Sequence, residues 1–257
     1  MNKYIIDFCI TNACNLKCSS CDQYCSHSKS WYASFDEIKN WLYLIKNKCK
    51  NLRSLEISGG EACLHPNFME ICKLCHELFP NIFLSTTTNG TLLKKSKKEL
   101  MKLQNDYKIR IRTTLYPILF QNTLTTIIDK NLLKEINLES RPIFYKNSFS
   151  KNKTKNAKIT FKNCNCLKDP TYFFYKGNFY PCNASIIMQQ INNNLVKKNK
   201  ISLYNMSSEK DLLFLNKENN LCAYCNNVNL SCFDGFYHSL NTIVSNNYFE
   251  TIKDIFI

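Results

Sequence analysis

The amino-acid sequence predicts an α/β protein with a mainly parallel β-sheet, followed by a smaller α+β region that is rich in cysteine. In the first half of the chain, short apolar runs alternate with longer amphipathic stretches, which is typical of successive βα units. Hydrophobic residues make up 44% of the 257 residues, so a packed core is expected. Beyond Arg141 and Pro142 this alternation stops, and polar, cysteine-containing sequence follows.

Five strands and four helices are predicted in the first half. The strands are Tyr4–Ile10, Leu52–Ser58, Ile82–Thr87, Lys108–Leu115 and about Ile136–Phe144. The helices are Ser34–Cys49, Asn67–Phe79, Ser96–Gln104 and Asn122–Asp129. Ser34 is the expected N-cap of the first helix, because acidic residues follow it at the positive end of the helix dipole. Pro80 marks the end of the second helix.

The second half is predicted to contain a β-hairpin and two helices. The polar segment 146–156 is typical of a linker or surface loop. Tyr172–Tyr175 and Asn178–Tyr180 flank Lys176-Gly177, which predicts a hairpin. Helices are expected near Glu209–Lys217 and Gly235–Val244. We therefore expect two domains, residues 1–150 and residues 151–257.

The net charge of +14 raises the question of an anionic partner. Lysines are spread along the chain, and no basic stripe is interleaved with stacking aromatic residues, so the pattern argues against nucleic-acid binding. A small substrate that carries a phosphate or a carboxylate fits the charge at least as well. The sequence has no apolar run long enough to span a membrane and no secretory signal at its start, which predicts a cytoplasmic protein.

Cysteine is the most informative part of the composition, with 15 residues. Clustered cysteines in a reducing compartment indicate metal more often than disulfides. Cys14, Cys18 and Cys21 follow the first strand at spacings of four and three residues. Three thiolates in one loop can hold one face of a cubane [4Fe–4S] cluster and leave one iron open to a small chelating molecule. The alternatives are a zinc site, which prefers paired Cys-x-x-Cys hooks, and a closed cluster with Cys25 as the fourth ligand.

The run Cys14-x-x-x-Cys18-x-x-Cys21 in a loop after the first strand resembles the signature of the radical S-adenosylmethionine (SAM) superfamily. The resemblance implies a partial, shortened parallel β/α barrel of the TIM type, with SAM bound at the open iron of the cluster. Members of the family usually have an aromatic residue before the last cysteine, beside the cofactor. Here that position is Ser20, and Tyr24 is the expected replacement.

Two further motifs lie at the predicted ends of strands two and three. They are Ser58-Gly59-Gly60-Glu61 and Thr88-Asn89-Gly90. Glycines let a ligand approach the backbone closely, and a carboxylate can accept hydrogen bonds from an ammonium group. Each motif alone is also an ordinary turn sequence. The resemblance implies that the Gly-Gly-Glu contacts the methionine amino group of SAM and that the Thr-Asn-Gly lies near its ribose.

The fourth predicted strand has one apolar and one polar face. Ile109, Ile111, Thr113 and Leu115 share the first face, and Lys108, Arg110, Arg112, Thr114 and Tyr116 share the second. In a barrel of parallel strands the polar face points inward, toward cofactor and substrate. Arg110 and Arg112 are then candidates for binding a carboxylate or phosphate, with Thr114 beside them and Arg112 as a catalytic candidate. The alternative is solvent exposure on an edge strand.

A second set of cysteines lies in the C-terminal half. It comprises Cys166 or its neighbour Cys164, then Cys182, and then the pair Cys222-x-x-Cys225. This spacing suits a closed tetrathiolate site, and it fits zinc and an iron–sulfur cluster equally well. Beside a radical SAM core, the pattern resembles the twitch domain, the shorter relative of the SPASM domain, which implies one auxiliary [4Fe–4S] cluster.

The resemblance implies that SAM is cleaved reductively to a 5′-deoxyadenosyl radical, with electrons from a flavodoxin- or ferredoxin-type donor. The layout is similar to the 2-deoxy-scyllo-inosamine dehydrogenases, so oxidation of a sugar or cyclitol derivative is the leading hypothesis. A radical epimerase is the second, with Cys9, Cys63 or Cys232 as the hydrogen donor. Maturation of a ribosomal peptide and a non-catalytic zinc or iron–sulfur binding module are the remaining alternatives.

Overall fold

The computed structural model describes residues 3–16, 21, 23, 25, 28–93, 95–114, 139–141, 156–164, 170–183, 185–186, 199–218 and 220–225. Eight strands within these residues form one sheet. The strands are β1 (Tyr4–Thr11), β2 (Leu52–Gly59), β3 (Phe83–Thr88), β4 (Arg110–Thr114), β5 (Glu139–Arg141), β6 (Thr171–Tyr175), β7 (Asn178–Tyr180) and β8 (Ile201–Ser202). The helices are α1 (Phe35–Lys48), α2 (Phe68–Leu78), α3 (Lys97–Asn105) and α4 (Ala157–Lys162). Short 3₁₀ helices span Ala62–Leu64, Leu203–Asn205, Glu209–Leu215 and Asn220–Tyr224.

The sheet is mostly parallel, with the strand order β5-β4-β3-β2-β1-β6-β7-β8. Strands β1 to β5 are parallel to their neighbours, and β6 adds to the free edge of β1, also in parallel. Among these eight strands only β7 runs in the opposite direction, and it pairs antiparallel with both β6 and β8. The prediction of an α/β fold with a mainly parallel sheet is confirmed. The predicted hairpin is also confirmed, but it continues the sheet of the first half. The boundary between residues 150 and 151 stays a prediction.

The core lies on one face of the sheet, where alternate strand residues meet the helices. Ile6 and Phe8 of β1 and Leu55 and Ile57 of β2 are fully buried there. Trp41 of α1 packs edge-on against Phe8, with ring centroids 6.4 Å apart. Each such apolar side chain stabilises the fold by about 1.5–3 kcal/mol through burial. The opposite face carries the polar side chains, as period-two alternation requires.

The start of α1 confirms Ser34 as its N-cap. The Ser34 hydroxyl accepts a hydrogen bond from the Glu37 N–H at 3.2 Å, and the Glu37 carboxylate accepts one from the Ser34 N–H at 2.9 Å. This reciprocal pair is a capping box, which satisfies N–H groups that the first helical turn leaves without partners. It also fixes the point at which the chain turns from the cysteine loop into α1.

Most predicted boundaries agree with the structure to within two residues. Strand β4 begins at Arg110, two residues later than predicted, because Lys108 adopts a left-handed backbone with φ of 53°. The segment near Glu209 forms a 3₁₀ helix that ends at Leu215. Only Glu139–Arg141 of the fifth predicted strand lies in the described part of the chain. The predicted helices Asn122–Asp129 and Gly235–Val244 lie outside it.

A search of the described helices finds none that is long and apolar enough to cross a membrane.

Candidate cluster and cofactor site

The cysteine loop begins directly after β1, at the carboxyl end of the parallel strands. Cys14, Cys21 and Cys25 are half-buried, and Cys18 and Tyr24 lie outside the described residues. The Cys14 sulfur accepts hydrogen bonds from the Leu16 N–H at 3.4 Å and from the side-chain amide of Asn89 at 3.6 Å. Burial raises the pKa of the Cys14 thiol, and these two donors act in the opposite direction by favouring the thiolate.

The two glycines at the end of β2 lie against the start of the cysteine loop. The Gly60 N–H donates to the Thr11 carbonyl oxygen at 3.0 Å, and the Glu61 N–H donates to the Ala13 carbonyl oxygen at 2.8 Å. A Cβ atom on Gly59 would lie 2.3 Å from the Thr11 oxygen, and one on Gly60 would lie 2.4 Å from the Ala13 oxygen. Both glycines are therefore required for the close approach of two backbone segments.

Glu61 is fully buried and faces the end of β3. Its carboxylate accepts hydrogen bonds from the Thr88 hydroxyl at 2.8 Å and from the Asn89 N–H at 2.6 Å. Burial raises the pKa of the Glu61 carboxyl, while the two hydrogen bonds favour its ionised form. The carboxylate thus ties the Gly-Gly-Glu turn to the Thr-Asn-Gly turn. Its predicted contact with the amino group of SAM stays a prediction.

Asn89 joins this turn to the cysteine loop. Its side-chain amide donates to the Asn15 side-chain oxygen at 2.8 Å, in addition to its contact with the Cys14 sulfur. Its own side-chain oxygen accepts from the Thr91 N–H at 3.0 Å. Three motifs that are far apart in the sequence therefore meet at one edge of the sheet, as strand topology requires of turns that follow parallel strands.

The polar face of the sheet carries a charged network beside these turns. Arg112 forms an ion pair with Glu56 and donates to the Ser85 hydroxyl at 3.2 Å. The hydroxyl of Ser58 donates to the Asp7 carboxylate. Arg112 is thus engaged by a carboxylate of this chain, and an anionic ligand would have to compete with Glu56 for it.

The other two candidates on strand β4 differ in exposure. Arg110 is exposed, and Thr114 is half-buried on the same face. The alternative was solvent exposure on an edge strand: β4 is not at the edge, because β5 pairs with its outer side, but Arg110 is exposed to solvent. The predicted roles of Arg110, Arg112 and Thr114 in binding stay predictions.

The second cysteine set comes from three separate elements. Cys164 follows α4, Cys182 follows β7, and Cys222 and Cys225 lie in and after the 3₁₀ helix Asn220–Tyr224, against which α4 packs. Burial, with smaller contributions from the nearby thiols of Cys225 and Cys222, raises the pKa of the Cys182 thiol to about 12. Cys166 and Cys232 lie outside the described residues.

Two sets of polar residues near the site were missed from the sequence. Asn12, between β1 and Cys14, is buried and binds the far end of the cysteine loop. Its position two residues before Cys14 was a usable signal. Glu56 and Asp7 were also missed. They belong to the charged network because of how neighbouring strands are aligned, and the alternation of residues within one strand does not predict which strand pairs with it.

The donors present fit an iron–sulfur cluster and SAM. Thiolates are the usual ligands of such clusters, and N–H groups directed at the sulfur atoms tune their potentials. Cys14 offers such a thiol with two N–H donors, and the Gly59-Gly60 turn packs its main chain against the residues just before it. Within the described residues no three Cys, His, Asp or Glu side chains gather into a metal site. For the first set, the third predicted ligand, Cys18, lies outside those residues. In the second set, Cys164, Cys182, Cys222 and Cys225 are all described, and no three of them gather into a metal site.

The region that contains these motifs is similar to known proteins. Residues 8–114 match the family model described as the radical SAM superfamily. Over 95 residues the chain is 33% identical to the antilisterial bacteriocin subtilosin biosynthesis protein AlbA of Bacillus subtilis, covering 37% of this chain and 20% of AlbA. Over 90 residues it is 39% identical to the GTP 3′,8-cyclase of Shewanella denitrificans, covering 34% of this chain and 26% of the cyclase.

One solved structure shares the fold over most of the chain. It is BtrN in complex with AdoMet and 2-DOIA, with a TM-score of 0.56, 17% identity, and coverage of 92% of this chain and 100% of BtrN. By contrast, the matches to AlbA and the cyclase span only about a fifth and a quarter of those proteins. The family implies a [4Fe–4S] cluster and SAM as cofactors. Residues 8–114 of this chain are therefore similar to the radical SAM superfamily.

Proposed function

We propose that the chain is a radical SAM oxidoreductase that dehydrogenates a small sugar- or cyclitol-like substrate. The observation that carries the proposal is the meeting of three motifs at one edge of the sheet, where Asn89 contacts both the Cys14 sulfur and the Glu61 carboxylate. When bound, the cluster and SAM supply a 5′-deoxyadenosyl radical that abstracts hydrogen from an unactivated C–H bond. The residues of the chain bind and orient the reactants and exclude water.

In this proposal Cys14, Cys18 and Cys21 hold the first cluster. The turn at Gly59 and Gly60 would receive the methionine part of SAM, because its close packing against Thr11 and Ala13 places it beside the start of the cysteine loop. Ser58, Thr88, Asn89 and Tyr24 would complete the cofactor site.

Glu61 has an indirect role in this arrangement. Its carboxylate is fully buried and is engaged by Thr88 and Asn89 at 2.8 Å and 2.6 Å. A carboxylate held in this way is poorly placed to leave its partners for a ligand, because breaking buried charged hydrogen bonds is costly. We therefore propose that Glu61 shapes the Thr88–Gly90 turn.

A second, auxiliary cluster is proposed at Cys164, Cys182, Cys222 and Cys225. The support is local: α4 packs against the 3₁₀ helix that carries Cys222, and the thiols of Cys222 and Cys225 influence that of Cys182 electrostatically. Cys166 is the other candidate for the fourth ligand, and it lies outside the described residues. Such a cluster could take an electron from the substrate radical and complete a two-electron oxidation.

The charged network on the polar face of the sheet supports the proposal of a substrate rich in hydroxyl groups. Arg112 is neutralised by Glu56, and the Asp7 carboxylate accepts the Ser58 hydroxyl. Carboxylates accept hydrogen bonds from hydroxyl groups, and a paired guanidinium donates hydrogen bonds to them. The same network is a weaker site for a phosphate or carboxylate than an unpaired arginine would be. The fold of BtrN, crystallised with 2-DOIA, is compatible with this class.

The decisive experiment is anaerobic reconstitution with iron and sulfide, followed by incubation with SAM and a reductant. We expect about eight irons and eight sulfides per chain and the release of 5′-deoxyadenosine. Cys14→Ala should abolish that release, because the cluster loses a ligand. Cys72→Ala is the matched control, since Cys72 is buried in the apolar core of α2. Zinc in place of iron, or full SAM cleavage by Cys14→Ala, would overturn the proposal.

Of the alternatives, a peptide substrate has specific support, and an epimerase is separable by experiment. Similarity to AlbA, a bacteriocin biosynthesis protein, supports a peptide substrate, and labelled peptides should then replace sugars as deuterium donors to 5′-deoxyadenosine. An epimerase requires a thiol that returns hydrogen to the substrate. Cys9 is buried and donates to the Thr11 carbonyl oxygen at 3.3 Å, which makes it a poor donor, and Cys63 and Cys232 remain. Solvent deuterium in the product would identify the epimerase.

A further inference from the structure

Asn12 makes an unusually complete set of contacts for a residue in a loop. It is buried, with 4% of its surface exposed, and it lies between β1 and Cys14. Its side-chain amide donates to the Ser28 hydroxyl at 2.9 Å and to the Lys29 carbonyl oxygen at 3.0 Å. Its side-chain oxygen accepts from the Trp31 N–H at 2.5 Å. Both donors and the acceptor of the amide are therefore used.

The main chain on either side strengthens this connection. The Asn12 N–H donates to the Trp31 carbonyl oxygen at 3.1 Å, and the Thr11 hydroxyl donates to the same oxygen at 2.6 Å. The Ala33 N–H donates to the Ile10 carbonyl oxygen at 3.0 Å. Segments 10–13 and 28–33 thus form a closed base. The intervening chain carries Cys14, Cys18, Cys21 and Cys25.

This base is separate from the contacts of the proposed SAM site. The neighbours of Asn12 serve that site through their carbonyl groups: Thr11 accepts from the Gly60 N–H and Ala13 accepts from the Glu61 N–H. The Asn12 side chain is committed to the other end of the loop. One short segment therefore fixes the cysteine loop at both ends and joins it to the Gly-Gly-Glu turn.

We infer that Asn12 is a positioning residue that closes the cysteine loop and holds its thiols ready for the cluster, which rests on the proposed function of that loop. A loop of this length loses considerable conformational freedom when its ends are brought together. If the protein has already closed it, binding of the cluster need not supply that ordering, so the cluster is taken up more readily and lost more slowly.

Replacing Asn12 separates this role from general stability. Asn12→Ala removes three hydrogen bonds, leaves the Trp31 N–H without its side-chain acceptor, and should open the base of the loop. Asn12→Asp keeps the acceptor for the Trp31 N–H and can still accept from the Ser28 hydroxyl, but it repels the Lys29 carbonyl oxygen. The aspartate variant should therefore restore part of the wild-type behaviour. Asn40→Ala, on the exposed side of α1, is the matched control.

The test follows two signals in the full-length reconstituted chain under anaerobic conditions. An Fe(II) chelator is added, the loss of visible cluster absorption is recorded, and cysteines are alkylated and identified individually by mass spectrometry. In Asn12→Ala we expect Cys14 and Cys21 to be alkylated about tenfold faster, in line with the loss of buried hydrogen bonds. Cys182 and Cys222 should be unchanged, and Asn40→Ala should match the wild type.

The possible outcomes distinguish a failure of this inference from a failure of the proposed function. Equal acceleration at both cysteine sets in Asn12→Ala would mean general unfolding and would overturn the inference, as would unchanged rates at Cys14 and Cys21. Failure of the wild-type chain to take up iron would count against the proposed function instead. In that case the alkylation rates of the metal-free chain still test whether Asn12 closes the loop.

Discussion

The two cysteine regions of the molecule are supported in different ways. The first is a single loop whose ends are fixed by Asn12 and whose surroundings are main-chain contacts from the ends of β2 and β3. The second is assembled from α4, a helix of six residues, a 3₁₀ helix and the end of the β6–β7 hairpin. The first site therefore depends on the rigid sheet, whereas the second depends on the mutual packing of short elements far apart in the sequence.

The two cysteine regions nevertheless contact the same cluster of buried side chains. Cys9 of β1 packs in a buried cluster with Tyr175 and Tyr180 of the hairpin, and Leu221, next to Cys222, belongs to the same cluster. Lys176, at the turn of the hairpin, lies 4.9 Å from the ring centroid of Trp31 at the base of the cysteine loop. Because both cysteine regions belong to one packed structure, we expect differences between their responses to mutation to reflect the contacts made within each region.

The largest expected contrast comes from removing one cysteine of the second set. Cys182→Ala should lower the iron content from about eight to about four per chain and leave SAM cleavage by the first cluster within a few-fold of wild type. Substrate oxidation should be lost, because the proposed electron acceptor is missing. Iron analysis and separate assays for 5′-deoxyadenosine and oxidised product check this. Complete loss of 5′-deoxyadenosine would mean that the two regions are not separable.

A pair of glycine substitutions should give a smaller contrast. In Gly60→Ala the new methyl group would lie 2.4 Å from the Ala13 carbonyl oxygen, so the backbone has to move, and we expect a loss of about 3 kcal/mol or more in unfolding free energy. In Gly177→Ala the nearest atom lies 3.4 Å away, and the cost is mainly that of φ at +74°, about 1–2 kcal/mol. Urea unfolding of both variants measures the difference, and equal losses would contradict the distinction.

The smallest expected effect is a pH dependence confined to the first region. Buried His65 donates through Nε2 to the Ala33 carbonyl oxygen at 2.8 Å, and its Nδ1 accepts from the Asn67 N–H at 3.1 Å. Burial lowers the pKa of His65, so the unfolded chain binds this proton more readily. Stability should therefore fall as the pH drops below the unfolded value of about 6.5.

His65→Gln removes the titrating group and should flatten this decline. The measurement is urea unfolding at pH 7.5 and pH 5.5, with His76→Gln on α2 as the control. A decline of the same size in His65→Gln as in the wild type would assign the pH dependence to other groups.

The motifs could be located from the sequence, but the contacts between them could not be predicted from it. The spacing of Cys14, Cys18 and Cys21 and the placement of Gly59-Gly60-Glu61 at a strand end are local patterns, and both were readable. The ion pair of Arg112 with Glu56 depends on which strands are neighbours and on their register. Likewise, the β6–β7 hairpin was predicted from its turn, yet nothing local indicated that β6 would pair with β1.

The pairing of β1 with β6 means that residues 8–114, which match the family model, are not structurally independent of the rest of the sheet. Asp7 and Phe8 of β1 are aligned with Phe173 and Phe174 of β6, and the rings of Phe8 and Phe174 are stacked at 5.1 Å. A fragment ending at β4 would make β1 an edge strand, with the segment Ile5–Phe8 deprived of its β6 partner and the Phe8 ring deprived of its stacking partner. Such an edge invites association with other chains. Engineering that transplants or shortens this protein therefore has to carry the distant β6 strand along with the segment it protects.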